Sequence, residues 1–218
     1  MLFRSLDTGF NPGNGANNVV RAIAIQPSDG KVLVAGDFTS FNGVSVSYLA
    51  RLSPAGAIDG TFLVGTNLNG PVSAVHVQYD GKILVGGSFT AYQTTARNYM
   101  ARLNADGTLD TGFYSNGTEL NNFVNSIDVQ TDGAIVIGGG FTAFGSVSRA
   151  YFMRLTSAGT LDPSINIGTG ADSFVETVLV KGDGKIVLGG SFTNFNGQSA
   201  PRLTRINGGI NLGEGVIG

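Results

Sequence analysis

The chain of 218 residues contains no cysteine, which excludes disulfides and thiolate metal sites without fixing a cellular compartment. Charged residues make up only 13% of it, about half the usual share in globular proteins. The 13 lysines and arginines are spread thinly and the net charge is −2. Because phosphate binding needs clustered cations, we expect no nucleic-acid partner. No apolar run approaches the roughly 18 residues of a membrane span, so no membrane partner is expected.

The amino-terminal segment MLFRSLDTGF lacks the apolar stretch of a signal peptide. We therefore expect either a protein that is not exported by that route or a piece of a longer chain. No stretch shows a sustained 3.6-residue hydrophobic period with helix caps, so the sequence predicts an all-β protein.

Four near copies of one segment account for most of the chain. They read IQPSDGKVLVAGDFTSF, VQYDGKILVGGSFTAY, VQTDGAIVIGGGFTAF and VKGDGKIVLGGSFTNF. Their Asp–Gly pairs begin at Asp29, Asp80, Asp132 and Asp183, with spacings of 51, 52 and 51 residues. The spacings recur for Phe38, Phe89, Phe141 and Phe192, and again for Arg51, Arg102, Arg154 and Arg205. A period near 50 residues indicates a solenoid or a propeller.

The second unit shows what one copy contains. VSAVHVQ (72–78), KILVGGSF (82–89) and YMARL (99–103) predict three strands, and NADGTLDTGF (104–113) adds a short fourth. Asp80 and Gly81 predict a two-residue type I′ turn with positive φ at both positions. Four antiparallel strands form one propeller blade. The predicted fold is a β-propeller of four four-stranded blades, each of about 51 residues, with a β-solenoid or part of a larger propeller completed by another chain as alternatives.

The repeat sets the predicted domain organisation. Residues 1–218 form one repeat domain, with units at about 6–58, 59–109, 110–161 and 162–210 and a tail at 211–218. A single blade buries too little apolar surface to fold alone, so the blades must stack. Leu6–Phe10 (LDTGF) repeats Leu109–Phe113, and the last unit lacks this segment. We expect Leu6–Phe10 to complete the fourth blade, either closing a ring within one chain or joining neighbouring chains head to tail.

The repeat also resembles a known family. The pattern V-x-A-I-x-V-Q-x-D-G-K-I-L-V-G-G-x-F-T, followed by Y-x-A-R-L-N-x-D-G-T-L-D-x-x-F, is similar to the delta-60 repeats over about residues 6–207. Ala134, Lys181 and Ile206 depart from it. The resemblance implies a β-propeller from a bacterial surface or secreted protein or a phage structural protein, and it implies no catalytic residues.

Most candidate chemical groups recur in register, which favours structural roles. Asp29, Asp80, Asp132 and Asp183 are interpreted as turn residues that bind their own backbone. Arg51, Arg102, Arg154 and Arg205 are interpreted as partners of repeated aspartates, with a ring of cations for an anion as the alternative. The single histidine, His76, is interpreted as a packing or edge-strand residue, and we expect no metal site and no cofactor.

The units differ most between their second and third strands, where loops on a rigid scaffold commonly carry binding residues. The candidate ligand-binding residues are Tyr92, Arg97, Asn98, Arg149, Tyr151 and Gln198. Neutral variation of a solvated loop is the alternative interpretation.

These observations favour a non-catalytic structural or binding module of an extracellular assembly. A phage virion or filament component at the virion surface is the leading version, and a fragment of a cell-surface adhesin is the alternative. Its expected partners are other subunits, including copies of itself head to tail, and surface glycans. A glycan-active enzyme is a further hypothesis, with Glu119, Glu176 and Asp172 as the acids outside the repeat pattern.

Overall fold

The computed structural model describes residues 6–62, 68–114, 117, 119–165 and 167–209. Blade 1 contains β1 (Val20–Ile25), β2 (Val32–Gly36), β3 (Ser40–Phe41), β4 (Val44–Ser45) and β5 (Leu49–Leu52). Blade 2 contains β6 (Val72–Val77), β7 (Ile83–Gly87), β8 (Ala91–Tyr92), β9 (Thr95–Ala96) and β10 (Met100–Leu103). Blade 3 contains β11 (Val124–Val129), β12 (Ile135–Gly139), β13 (Ala143–Phe144), β14 (Val147–Ser148) and β15 (Phe152–Leu155). Blade 4 contains β16 (Val175–Val180), β17 (Ile186–Gly190), β18 (Asn194–Phe195), β19 (Gln198–Ser199) and β20 (Leu203–Ile206).

The three longer strands of each blade form an antiparallel sheet, and the two short strands form a separate hairpin. In blade 1 the order of the sheet is β1-β2-β5, so β2 lies in the middle. We call these three strands of a blade its first, second and third strands. The predicted fourth strand is reduced to one bridge, such as Leu103 with Leu109 in blade 2. The segment between the second and third strands, predicted as a loop, instead forms a two-stranded hairpin such as β8–β9. The protein is therefore all-β and built from propeller blades, as predicted.

The Asp–Gly turns differ from the prediction. Gly81 has a φ of 83°, whereas Asp80 does not have positive φ. The Gly81 amide donates to Gln78 O at 2.9 Å, and the Gln78 amide donates to Lys82 O at 2.8 Å. This is a three-residue loop in which only the glycine adopts the left-handed conformation. The type I′ prediction is therefore wrong.

Consecutive blades pack through their inner strands, in the order β1, β6, β11, β16. Val124 and Ile127 of β11 lie against Gly86 of blade 2, and a Cβ at Gly86 would lie 2.6 Å from Val124 Cγ1. Small residues occupy the equivalent positions, Ala35 and Gly138. They are small because the next blade's β-branched side chains fill that space.

The four blades form an open partial propeller. No strand of blade 4 packs against a strand of blade 1, over the described ranges, to the extent seen between consecutive blades. Leu6 is 91% exposed, and the Asn11 amide that follows this segment donates to Ala55 O of blade 1 at 2.8 Å. The prediction that Leu6–Phe10 completes the fourth blade within one chain is therefore wrong. Its completion of a blade in a neighbouring chain stays a prediction.

Candidate functional site

A repeated arginine links each blade to the next. Arg51 Nε donates to Asp59 Oδ2 at 2.9 Å within blade 1, and Arg51 Nη1 donates to Ala105 O of blade 2 at 2.6 Å. The Arg51 guanidinium also lies 4.5 Å from the centre of the Phe62 ring. Equivalent links join Arg102 to Asp110 and Ser157 O, and Arg154 to Asp162 and Gly208 O. These guanidinium groups are positioned as connectors between blades.

The aspartates of these links have perturbed acidity. Burial raises the pKa of Asp59, but hydrogen bonds from Thr61 and Lys31 and the charge of Arg51 outweigh it, so its pKa falls well below the usual range. The pKa of Asp110 is lowered for a similar reason, with Lys82 and Arg102 opposing the effect of burial. The carboxylates are thus ionised at neutral pH and hold the arginines in place.

Arg205 occupies the same position in blade 4 in a different environment. It is exposed, whereas Arg51 and Arg154 are buried. Within the described residues, Arg205 has no ion pair and no hydrogen bond from its side chain. The residue type is repeated, but none of the described residues forms a further blade that the guanidinium could reach.

The repeated Asp–Gly aspartates accept hydrogen bonds from nearby backbone. Asp29 Oδ1 accepts from the Lys31 amide at 3.2 Å, and Asp132 Oδ1 accepts from the Ala134 amide at 2.9 Å. Asp80 and Asp183 make the same contact with Lys82 and Lys185. This is the geometry of a side chain that stabilises its own turn.

A second repeated position was missed by the sequence analysis. Asn69 Oδ1 accepts from the Thr90 and Ala91 amides at 2.8 and 3.0 Å, where hairpin β8–β9 begins. Asn17, Asn121 and Asp172 hold the equivalent hairpins. The spacings of 52, 52 and 51 residues would have revealed this set. Asp172 therefore belongs to the repeat pattern, and its hydrogen bonds to Asn194 and Thr193 lower its pKa.

The six candidate ligand-binding residues do not form one open surface. Tyr92 is buried and its hydroxyl donates to Gly107 O, and Arg97 is buried and its Nη1 donates to Ala96 O at 2.8 Å. These two side chains face inward because the segment forms a hairpin. The remaining candidates are Asn98, Arg149 and Tyr151, which are half-buried, and Gln198, which is exposed.

A cavity of about 520 Å³ opens between the Asp–Gly turns of blades 2 and 3. His76, Gln78, Arg102 and Gln130 are among its lining residues. Gln78 Oε1 is buried and accepts no hydrogen bond from the described part of the chain. His76 Nδ1 lies 3.5 Å from Asp128 Oδ1. Burial lowers the pKa of His76 more than Asp128 raises it, so the imidazole is neutral at pH 7 and can both donate and accept a hydrogen bond.

The first blade exposes an apolar strand face, which we call the head face and define as Val20, Ile23 and Ile25 of β1. Ile23 is 64% exposed. The equivalent residues of later blades contribute to the clusters between blades. They are Val72, Val75 and Val77 in blade 2, Val124, Ile127 and Val129 in blade 3, and Val175, Val178 and Val180 in blade 4. The head face is therefore half of an interface between blades.

The last blade carries the other half, which we call the tail face and define as Leu179, Val187, Gly189 and Leu203. Leu179 is exposed, Val187 is half-buried and Gly189 is buried. Leu203 is 65% exposed. Its equivalents in blades 1, 2 and 3 are Leu49, Met100 and Phe152, all fully buried. The residues equivalent to Val187 are Leu33, Leu84 and Val136, also fully buried. The two ends thus carry complementary halves of one repeated contact.

No group of three or more His, Cys, Asp or Glu residues suited to a metal ion occurs among the described residues. The described residues contain no helix that is long and apolar enough to cross a membrane.

Comparison with solved structures finds matches at low sequence identity. The chain is similar to the WD40 β-propeller domain of Doa1, with 16% identity, 87% of this chain and 50% of that chain covered, and a TM-score of 0.49. It is similar to the extracellular domain of BT4673 from B. thetaiotaomicron, with 16% identity, 81% and 21% coverage, and a TM-score of 0.46. A candidate gluconolactonase matches at 12% identity, 88% and 60% coverage, and a TM-score of 0.40. The chain thus spans about half of the solved Doa1 chain and about a fifth of the solved BT4673 extracellular domain.

No curated protein matches the sequence. A family model described as "Domain of unknown function (DUF5122) beta-propeller" matches at residues 28–62, 78–113, 130–164 and 181–208, one match in each blade. These matches cover more than half of the chain and include the Asp–Gly turn, the second strand and the repeated arginine of each unit. The chain therefore belongs to the DUF5122 β-propeller family.

Proposed function

We propose that the protein is a non-catalytic structural or binding module of an extracellular assembly, with a phage virion or filament component as the specific form. The observation that carries this proposal is the pair of exposed apolar faces at the two ends of the blade array. Ile23 and Leu203 are about two-thirds exposed, at 64% and 65%. Contiguous apolar surface of this kind marks a site of interaction with another macromolecule.

The use of the charged groups supports a structural role. The repeated arginines and aspartates are engaged in links between blades and in turns. Glu176, one of the acids considered for glycan hydrolysis, accepts from Asn125 Nδ2 at 2.8 Å. Asp172, another, fixes a hairpin. Both of these acids are therefore engaged in hydrogen bonds within the fold.

The extracellular setting follows from the repeat resemblance and is tested by locating the protein. Particles purified on a density gradient, from a culture that carries the gene, are analysed by mass spectrometry. We expect the chain to migrate with the particles at a constant ratio to their other proteins. Detection only on the bacterial cell surface would favour the adhesin alternative, and detection only inside cells would contradict an extracellular assembly.

The enzyme alternative has its own test. The chain is incubated with a panel of polysaccharides, beside Glu176→Gln and Glu119→Gln variants. We expect no release of reducing sugar. Hydrolysis that either variant abolishes would contradict the non-catalytic proposal.

A second candidate function is the binding of a small hydroxylated ligand in the cavity between blades 2 and 3. The buried Gln78 Oε1 favours it, because no described residue donates a hydrogen bond to this acceptor. Saturation-transfer NMR with a set of monosaccharides tests it, with Gln78→Leu as the variant expected to lose the signal. An unchanged signal in that variant would place the ligand elsewhere.

A further inference from the structure

We propose that a second copy of this chain docks its head face onto the tail face of the first, and that two copies close into one ring of eight blades. The inference deepens the proposed assembly role, on which it rests, by naming the partner. Its basis is that the three contacts between consecutive blades in one chain already show the geometry that the fourth contact requires.

The apolar part of the contact can be transferred position by position. Between blades 2 and 3, Val124 and Ile127 cover Gly86 within a cluster that also contains Leu84 and Met100. The residues equivalent to the first pair are Val20 and Ile23, on the head face. The residues equivalent to Gly86, Leu84 and Met100 are Gly189, Val187 and Leu203, on the tail face. One copy therefore carries the β-branched side chains, and the other carries the small residue and apolar wall that receive them.

The residue type at position 189 supports this match. A Cβ at Gly138 would lie 2.5 Å from Val175 Cγ1 of the next blade, whereas the nearest side chain to a Cβ at Gly189 is Thr177 of its own blade, at 3.0 Å. Gly189 thus keeps the small side of the contact although the described part of the chain supplies no blade to fill it. We expect Val20 of a second copy to pack against Gly189 and the neighbouring Thr177.

The polar part of the contact has the same complementarity. Arg102 pairs with Asp110, donates to Ser157 O of the next blade and stacks on Phe113. For Arg205 the equivalent three groups are Asp7, Pro54 O and Phe10. All three lie in or beside blade 1, where the following segment is anchored to Ala55. An exposed cation on one end and an exposed carboxylate on the other are therefore placed to pair between copies.

The two faces differ, so the contact is heterologous, and such contacts either close into a ring or continue as a filament. Propellers usually contain about four to eight blades. Two copies with four blades each give eight, which lies within that range, whereas three copies exceed it. We therefore expect a closed dimer in which both head faces and both tail faces are covered.

The first experiment measures the mass of the 218-residue chain in solution by light scattering after size exclusion, over a range of concentrations. We expect twice the 22.4 kDa of one chain. Ile23→Asp and Leu203→Asp should each give a monomer, because a buried unpaired carboxylate would disrupt either half of the contact. Val147→Asp is the matched control: this apolar residue is also exposed, but it lies on hairpin β13–β14, and the dimer should persist.

The second experiment tests the register and the polarity of the contact with cysteines, since the chain has none of its own. A Cβ at Gly86 lies 3.1 Å from Val124 Cβ, close to the separation of about 3.5–4.5 Å that a disulfide needs. Val20→Cys and Gly189→Cys are the equivalent pair. Oxidation should link the two variants when they are mixed, and neither variant alone. Linkage of either variant alone would show a like-to-like interface and contradict the proposal.

The double variant, Val20→Cys with Gly189→Cys, tests closure. We expect oxidation to give one covalent species of two chains. A ladder of larger species would show a filament, and a linked single chain would show a four-blade ring; either result overturns the closed dimer. A strict monomer in every experiment would also overturn it and assign the two faces to another protein or to further blades. The location of the protein in particles is measured separately. A negative result in the dimer experiments therefore does not contradict the proposed function, and absence from particles does not contradict the dimer.

Discussion

The contacts between consecutive blades and the two ends of the blade array contain the same residue types, but these residues are buried in the contacts and exposed at the ends. Leu49 of blade 1 and Leu203 of blade 4 occupy equivalent positions, yet Leu49 is fully buried and Leu203 is 65% exposed. Arg51 connects two blades, whereas Arg205 is exposed at the end. Each blade sequence therefore encodes the residues of an interface between blades. These residues stabilise the fold only where an adjacent blade packs against them.

The largest difference in stability is expected when the two equivalent leucines are truncated. In the Ile23→Asp background, which is expected to be monomeric, Leu49→Ala should lower the free energy of unfolding by about 2–5 kcal/mol, because it opens a cavity between blades 1 and 2. Leu203→Ala in that background should change it by less than about 0.5 kcal/mol. Urea denaturation followed by circular dichroism measures both. Equal losses would contradict the distinction between interior and end.

Replacement of the equivalent arginines should also lower the free energy of unfolding more in the interior than at the end, by a smaller amount than for the leucines. Arg51→Met should cost about 2 kcal/mol, because it removes one of the hydrogen bonds to Asp59 and leaves Ala105 O without the Arg51 donor. Arg205→Met in the monomeric background should cost less than about 0.5 kcal/mol. The same denaturation experiment applies. A large loss for Arg205→Met would indicate a partner for this group inside the single chain.

Acid should weaken the links between blades without removing them. The pKa of Asp59 and that of Asp162 are lowered in the folded protein, so the unfolded chain binds more protons as the pH falls. The stabilisation is therefore complete above about pH 4, the ordinary carboxyl range, and is lost as the pH falls through the folded pKa. Denaturation midpoints measured between pH 7 and pH 3 should fall less steeply for Asp59→Asn than for the wild-type chain. Parallel curves would exclude Asp59 as a contributor.

The smallest effects are expected in the hairpins. Tyr92→Phe removes a buried hydrogen bond to Gly107 O and should cost about 1 kcal/mol. Gln198→Ala, at an exposed position of the fourth hairpin, should stay within about 0.5 kcal/mol of wild type. Thermal unfolding of the two variants measures the difference. Equal destabilisation would show that the Gln198 side chain also makes a stabilising contact.

The period predicted the blades because each repeated residue has a repeated physical task. The Asp–Gly aspartates bind turns, and the spacing of eight residues between Arg51 and Asp59 brings the pair together on adjacent chain segments. The same argument could have found the asparagines that hold the hairpins. The inward-facing side chains of Tyr92 and Arg97 were missed because the segment was treated as an irregular loop, whereas a hairpin alternates its side chains between two faces.

The open array was not predictable from the repeat alone. Closure depends on the angle between blades, which arises from the volumes of the residues packed there, such as Ala35 in one blade and Gly86 in the next. The contact of His76 with Asp128 was also missed. Their equivalent positions in consecutive units would have indicated that the two inner strands bring them together.

The most direct test of the account is thiol labelling at positions 49 and 203 in the monomeric Ile23→Asp background. Because the native sequence has no cysteine, Leu49→Cys and Leu203→Cys each introduce a single reporter. We predict that the thiol at position 203 reacts nearly as fast as a free thiol, and that the thiol at position 49 reacts only when the chain unfolds. Equal protection at both positions would show that blades 1 and 4 meet within one chain, and would contradict the open array.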